Sequence, residues 1–170
     1  FLLYRQLGTL SLDAMAAAAA GAEDRGLLWV GGLLVLVGFG AKAGAFPLHI
    51  WLPTAHPAAP APASAVLSGV ITKTGIYGVL VLSTTVFLHD KQWGMLLAVL
   101  GAVTMVLGAV LAVLSVDLKR TLACSSISQI GFILVGTAML CLLGEHNALA
   151  VDGTILHILN HSLIKMVLFP

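Results

Sequence analysis

Five side chains in this sequence sit where ionisable groups are rare. Lys42, Lys73, His157, His161 and Lys165 all fall within or beside long apolar stretches. A lysine at the centre of a bilayer costs roughly 2.5–3.5 kcal/mol on insertion scales, and such groups mark ion pathways and proton relays. His157, His161 and Lys165 stand at i, i+4 and i+8. Helical geometry stacks them on one stripe, with neighbouring Cβ atoms roughly 6 Å apart. Two histidines at that spacing are also a metal-binding pattern. The zinc-protease version needs a glutamate between them, however, and here Ile158, Leu159 and Asn160 intervene. Lys165 would repel a cation in addition, so no metal is expected. A proton-conducting row and a purely structural polar seam are the readings that remain.

These residues need membrane helices to position them. Of the 170 residues, 59% are hydrophobic and 9% charged, with a mean hydropathy of +1.07. Soluble domains average about 25% charged residues. The composition therefore predicts an all-α, polytopic transmembrane helix bundle. The net charge of +1 gives no electrostatic case for nucleic acid. Cys124 and Cys141 lie on one expected helix, about 25 Å apart, too far to bond to each other, and read as small buried side chains. Residues 1–25 read as the end of a preceding helix followed by an interfacial loop or short helix. Residues 26–170 read as the transmembrane core, with about five spans, the first broken near 43–47 and the last truncated. The chain reads as an internal fragment of a longer protein.

The break is predicted from Gly44 and Pro47. Glycine lowers helix propensity, and proline lacks an N–H and clashes with the carbonyl four residues earlier. A discontinuous helix at membrane depth is tolerated where protein or water lines it, and such breaks recur at transporter ion sites. Residues 53–62, PTAHPAAPAP, hold four of the six prolines and are expected to form a stiff turn at a membrane face. His56 is then a solvated loop histidine, and the role of His49 is open. Thr72 flanks Lys73 on the second span, about 63–88, and is expected to support the polar or water path. The third span, about 94–116, has no ionisable group. The fourth, about 121–143, opens with Ser125, Ser126, Ser128 and Gln129; Ser125, Ser128 and Gln129 can support a water path, or their hydroxyls can bond back to the helix. Residues 144–153 are expected to be a loop. All seven acids are expected in loops. The concentrated basic turn Lys119–Arg120 is placed on the inner side.

Three stretches, GFGAKAGAFPLHIWLPTAHPAAPAPASAVLSGVITKTGIYG, LKRTLACSSISQIGFILVG and HILNHSLIKMVLF, resemble the proton-conducting, antiporter-like membrane subunits. These occur in NADH:quinone oxidoreductase (respiratory complex I), membrane-bound hydrogenases of the formate-hydrogenlyase type, and multisubunit cation/proton antiporters. The resemblance covers nearly all of residues 26–170. It implies that Lys42 is the central lysine of the broken helix, Lys73 the bridging lysine of the next, and His157, His161 and Lys165 the later proton row. It also implies a glutamate helix and a second broken helix that this chain lacks. The function implied is proton translocation in a redox-driven complex, with a sodium/proton antiporter subunit as the alternative. Partners would be other membrane subunits, a redox peripheral arm and the lipid bilayer, with protons, or Na+, as the transported ion. The location implied is a prokaryotic cytoplasmic membrane. No cofactor is expected, because there is no CxxC pair and no Gly-rich phosphate loop. Redox chemistry would belong to partner subunits.

Overall fold

The computed structural model describes residues 1–22, 25–144 and 148–169, and the described residues form helices joined by short connections. Two short helices come first, α1 (Leu2–Leu7) and α2 (Leu12–Ala20). Then follow α3 (Arg25–Ala43), α4 (Trp51–Ala58) and α5 (Ala61–Val66). A π turn over Leu67–Ile71 joins α5 to α6 (Thr72–Thr85). The last three are α7 (Lys91–Val113), α8 (Leu118–Leu142) and α9 (Ala148–Leu168). Among the described residues, four stretches are long and apolar enough to cross a membrane: 25–43, 61–85, 91–113 and 118–142. The fifth expected span, α9, is not among them, because its stripe of His157, Asn160, His161, Ser162 and Lys165 lowers its apolarity. Glu23, Asp24, Glu145, His146 and Asn147 lie outside the described residues.

The chain does break where Gly44 stands. Ala43 ends α3, and Gly44 has φ +80°, a left-handed conformation that glycine adopts without steric cost. The Phe46–Pro47 peptide is cis. Two side-chain bonds brace the break: Phe46 N–H donates to Thr104 Oγ1 of α7 at 3.2 Å, and Trp51 Nε1–H donates to the Ala41 carbonyl at 2.8 Å. The Ala41 carbonyl beside Lys42 thus accepts from the indole as well as from Gly44 N–H at 3.2 Å.

Residues 51–58 correct the expectation of a proline-stiffened turn. They form helix α4, the second limb of the broken helix. Pro53 sits in its first turn, where the N–H has no intrahelical acceptor in any case, and Pro57 falls one residue before the end. Pro60 then forces Ala59 into extended backbone (ψ 145°). Two further boundaries move. Lys119 and Arg120, expected as a turn between spans, lie in the first turn of α8. The stretch 148–153, expected as a loop, is the start of α9. Asp13 and Asp152 lie in helices α2 and α9, not in loops, while Asp90 and Asp117 cap α7 and α8 through side-chain oxygens that accept backbone N–H groups.

The bundle is held by close backbone approach. A Cβ added at Gly108 would collide with the Ser128 backbone nitrogen, and one at Gly131 with that of Met105, so α7 and α8 pack main chain on main chain. A Cβ at Gly75 of α6 would lie 2.6 Å from the Ala43 nitrogen and the Phe39 carbonyl oxygen of α3. That contact sets the end of α3, with Lys42, beside the helix that carries Lys73. At the far end of α3, Asp90 receives Arg25 and Trp29 Nε1, each at 3.2 Å, beneath a cluster of Trp29, Phe87 and Trp93. Gly75→Ala should destabilise the full-length subunit by about 1–3 kcal/mol through overpacking. Gly38→Ala, where nothing lies within 4 Å of the new methyl, should be neutral or stabilising. Midpoints of heat-induced unfolding in detergent check both.

Candidate functional site

Lys73 occupies the middle of the 61–85 span and is 8% exposed. A buried ammonium requires hydrogen-bond acceptors, and the π turn supplies one. A π turn leaves backbone carbonyls out of the regular i→i+4 pattern. Here the Ser68 carbonyl accepts from Lys73 Nζ and, at 3.1 Å, from Thr72 Oγ1. Gly69 lets the turn seat against α9, since a Cβ there would come 2.6 Å from Met166 Cγ.

Lys165 of α9 is 3% exposed. Its Nζ donates to the Leu122 carbonyl at 2.8 Å and to Ser125 Oγ. Both acceptors lie in the first two turns of α8. The Leu122 carbonyl also accepts from Ser126 Oγ at 3.0 Å, and Ser126 Oγ meets Ser68 Oγ at 2.7 Å. Ser68, Thr72 and Ser126 are all fully buried. A polar seam thus runs from Lys73 at mid-membrane through the Ser68–Ser126 pair to Lys165, towards the face that carries Lys119 and Arg120 at the start of α8. With the Ser126 proton on the Leu122 carbonyl, Ser68 Oγ–H donates across the pair, and that link reverses only when Ser126 releases Leu122.

The histidines extend the seam along α9. His157 and His161 stack at 6.3 Å between centroids, and His157 lies 4.5 Å from Phe132. His161 is 4% exposed, and neither of its ring nitrogens has a hydrogen-bond partner among the described residues. Lys73, His161 and Lys165 are therefore brought together inside the bundle, with His157 half-buried at one end. Lys42 is not enclosed with them: its side chain is exposed on the described chain. Ser125 accepts from Lys165, whereas Ser128 and Gln129 do not join these hydrogen bonds among the described residues. Ser128 instead lies against Gly108.

Sequence reasoning missed Ser68 as a site residue and left Ser126 without a role. A small hydroxyl four residues before Thr72 is the available signal, but the pairing depends on how two helices meet. His56 is a further correction. It is fully buried, not a solvated loop residue, because α4 folds as a helix packed on α8, with Phe169 stacked over the imidazole.

The chain as a whole has counterparts among known proteins. The family model described as NADH:quinone oxidoreductase/Mrp antiporter, transmembrane, matches residues 1–170. The chain belongs to this family. It is 45% identical over 145 residues to hydrogenase-4 component B of Escherichia coli (strain K12), covering 81% of this chain and 22% of that protein. It is 36% identical over 168 residues to an Na+/H+ antiporter subunit of Alkalihalophilus pseudofirmus, covering 98% and 33%. The solved Mrp complex from Dietzia sp. DQ12-45-1b superposes with a TM-score of 0.85 at 31% identity, over 99% of this chain and 30% of that one. The chain thus spans between about a fifth and a third of the length of these relatives. It is an all-α membrane chain of the antiporter-like type.

Ser126→Ala should destabilise the subunit by about 1–3 kcal/mol, because it leaves the buried Ser68 hydroxyl without its partner. Ser128→Ala, outside the seam, should have a smaller effect. Thermal unfolding of the two variants in detergent measures the difference.

Proposed function

We propose that this chain is the proton-conducting core of a membrane subunit in a redox-driven complex, of the NADH:quinone oxidoreductase or membrane-bound hydrogenase kind. The observation that carries the reading is the burial of Lys73, His161 and Lys165 around one hydroxyl seam, with no carboxylate among the described residues of that seam to neutralise them. Holding several fixed positive charges there would be costly. A set of groups that share mobile protons avoids that cost, because each lysine or histidine can exist in a neutral form.

In this reading Lys73 takes a proton at mid-membrane, and the Ser68–Ser126 hydroxyls and neighbouring waters pass it towards Lys165, with His161 and His157 along the same helix. Lys42 exchanges with Lys73 from the end of α3, and its exposed side suits it to face another helix of the complete subunit. Gly44 and Pro47 set the break that fixes it there. Other membrane subunits and a redox peripheral arm would be the partners, in a prokaryotic cytoplasmic membrane. A sodium/proton antiporter subunit is the second reading, supported by the likeness to the Alkalihalophilus antiporter protein and to the Mrp complex. Under either, a carrier must change its protonation state, which arginine does not do.

Lys42→Arg and Lys73→Arg should therefore impair proton translocation nearly as much as Lys42→Ala and Lys73→Met, while preserving assembly better. The measurement is proton uptake into vesicles by the assembled complex containing the full-length subunit. Wild-type pumping by the arginine variants would show fixed charges and sink the carrier role. Proton flux that requires sodium would select the antiporter reading.

A further inference from the structure

The seam that begins at Lys73 reaches, through Lys165, the first turns of α8 just inside the Lys119–Arg120 face, and a buried imidazole occupies the next position. His56 of α4 is fully buried, and neither ring nitrogen has a hydrogen-bond partner among the described residues. It stacks on Phe169 at 4.6 Å and 15°, and Lys165 Nζ lies 6.0 Å from the centroid of that same ring. Ser64 Oγ donates to the His56 carbonyl at 3.2 Å, which fixes its backbone. Three residues further on, Lys119 Nζ donates to the Ala59 carbonyl at 3.0 Å, so the limb carrying His56 is tied directly to the basic turn. The charged groups that face His56 are Lys165 of α9 and Lys119 of α8; α4 itself carries none. A histidine used only for packing normally satisfies at least one ring nitrogen when buried. This one faces two cations, and both of its nitrogens are left open.

We propose that His56 exchanges protons between Lys165 and the membrane face that carries Lys119 and Arg120. Through an intervening water, the Lys165 ammonium gives its proton to one ring nitrogen, leaving a neutral amine and an imidazolium. The imidazolium releases the proton on its other nitrogen to water at that face, which returns the ring to neutral as the opposite tautomer. Running the steps in reverse loads Lys165 from the same face. Phe169 borders both groups.

The inference rests on the relay proposed above, so the test includes a variant for each. In the assembled complex with the full-length subunit, proton flux into vesicles is measured for Lys73→Met, His56→Gln and His56→Ala. Glutamine keeps hydrogen-bonding capacity and approximate size but carries no proton. Flux should fall about tenfold or more in both His56 variants with assembly retained, and added imidazole should restore part of it in His56→Ala. Loss with Lys73→Met but not with His56→Gln overturns the role of His56 and leaves the relay standing. Unchanged flux in all three overturns the relay itself. Failure of both His56 variants to assemble, or loss that imidazole does not relieve, marks His56 as a packing residue and overturns the proposal.

Discussion

A positive charge inside a membrane must find backbone or hydroxyl oxygen within reach, and that requirement shapes this bundle. Lys73 finds the Ser68 carbonyl only because the chain makes one wide turn at 67–71. In an unbroken α-helix that carbonyl would belong to the N–H of residue 72. The π turn is thus what lets an ammonium sit at mid-span, and Gly69 and the α9 contact hold the turn in place. Lys165 solves the same problem differently, by borrowing the Leu122 carbonyl and Ser125 from a neighbouring helix. One lysine is satisfied within its own span and the other across an interface. The two solutions meet at a single pair of serines.

The broken helix follows the same logic. Ending α3 at Ala43 exposes carbonyls at membrane depth, which hydrocarbon does not tolerate. Trp51 returns across the break to occupy one of them, and Thr104 anchors the turn to α7. The break is an ordered joint whose freed groups find partners. It carries Lys42 on one limb and His56 on the other, and Gly75 keeps the first limb against the Lys73 helix.

Much of this is legible in the sequence. The spans announce themselves by apolarity, Gly44 marks the break, and the i, i+4, i+8 spacing fixes the shared stripe of His157, His161 and Lys165. The misreadings have one cause: local composition cannot decide what packing decides. Proline density at 53–62 argues against helix, yet Pro53 falls in the first turn, where an N–H has no intrahelical acceptor, and the helix ends one residue after Pro57. The same error places His56 in solvent. The π turn has no sequence signature of its own here, since it depends on Met166 reaching Gly69 from a distant helix. Ser126 looks no different from Ser125 or Ser128; only the crossing of α8 with the π turn distinguishes it. Lys42 resembles Lys73 in its apolar setting, but the described chain leaves it exposed.

The direct main-chain contact between α7 and α8 has a mechanical consequence. Helices separated by long side chains can slide, because rotamers absorb the motion. Two backbones touching at Gly108 and Gly131 have no such slack, so the pair moves as one beam. At about 1.5 Å per residue, α7 and α8 are each longer than a hydrocarbon core of roughly 30 Å and must tilt together to fit it. Lys119 sits at the end of that beam and grips Ala59. A thinner or thicker bilayer, by changing the tilt, therefore acts as a lever on the far limb of the broken helix.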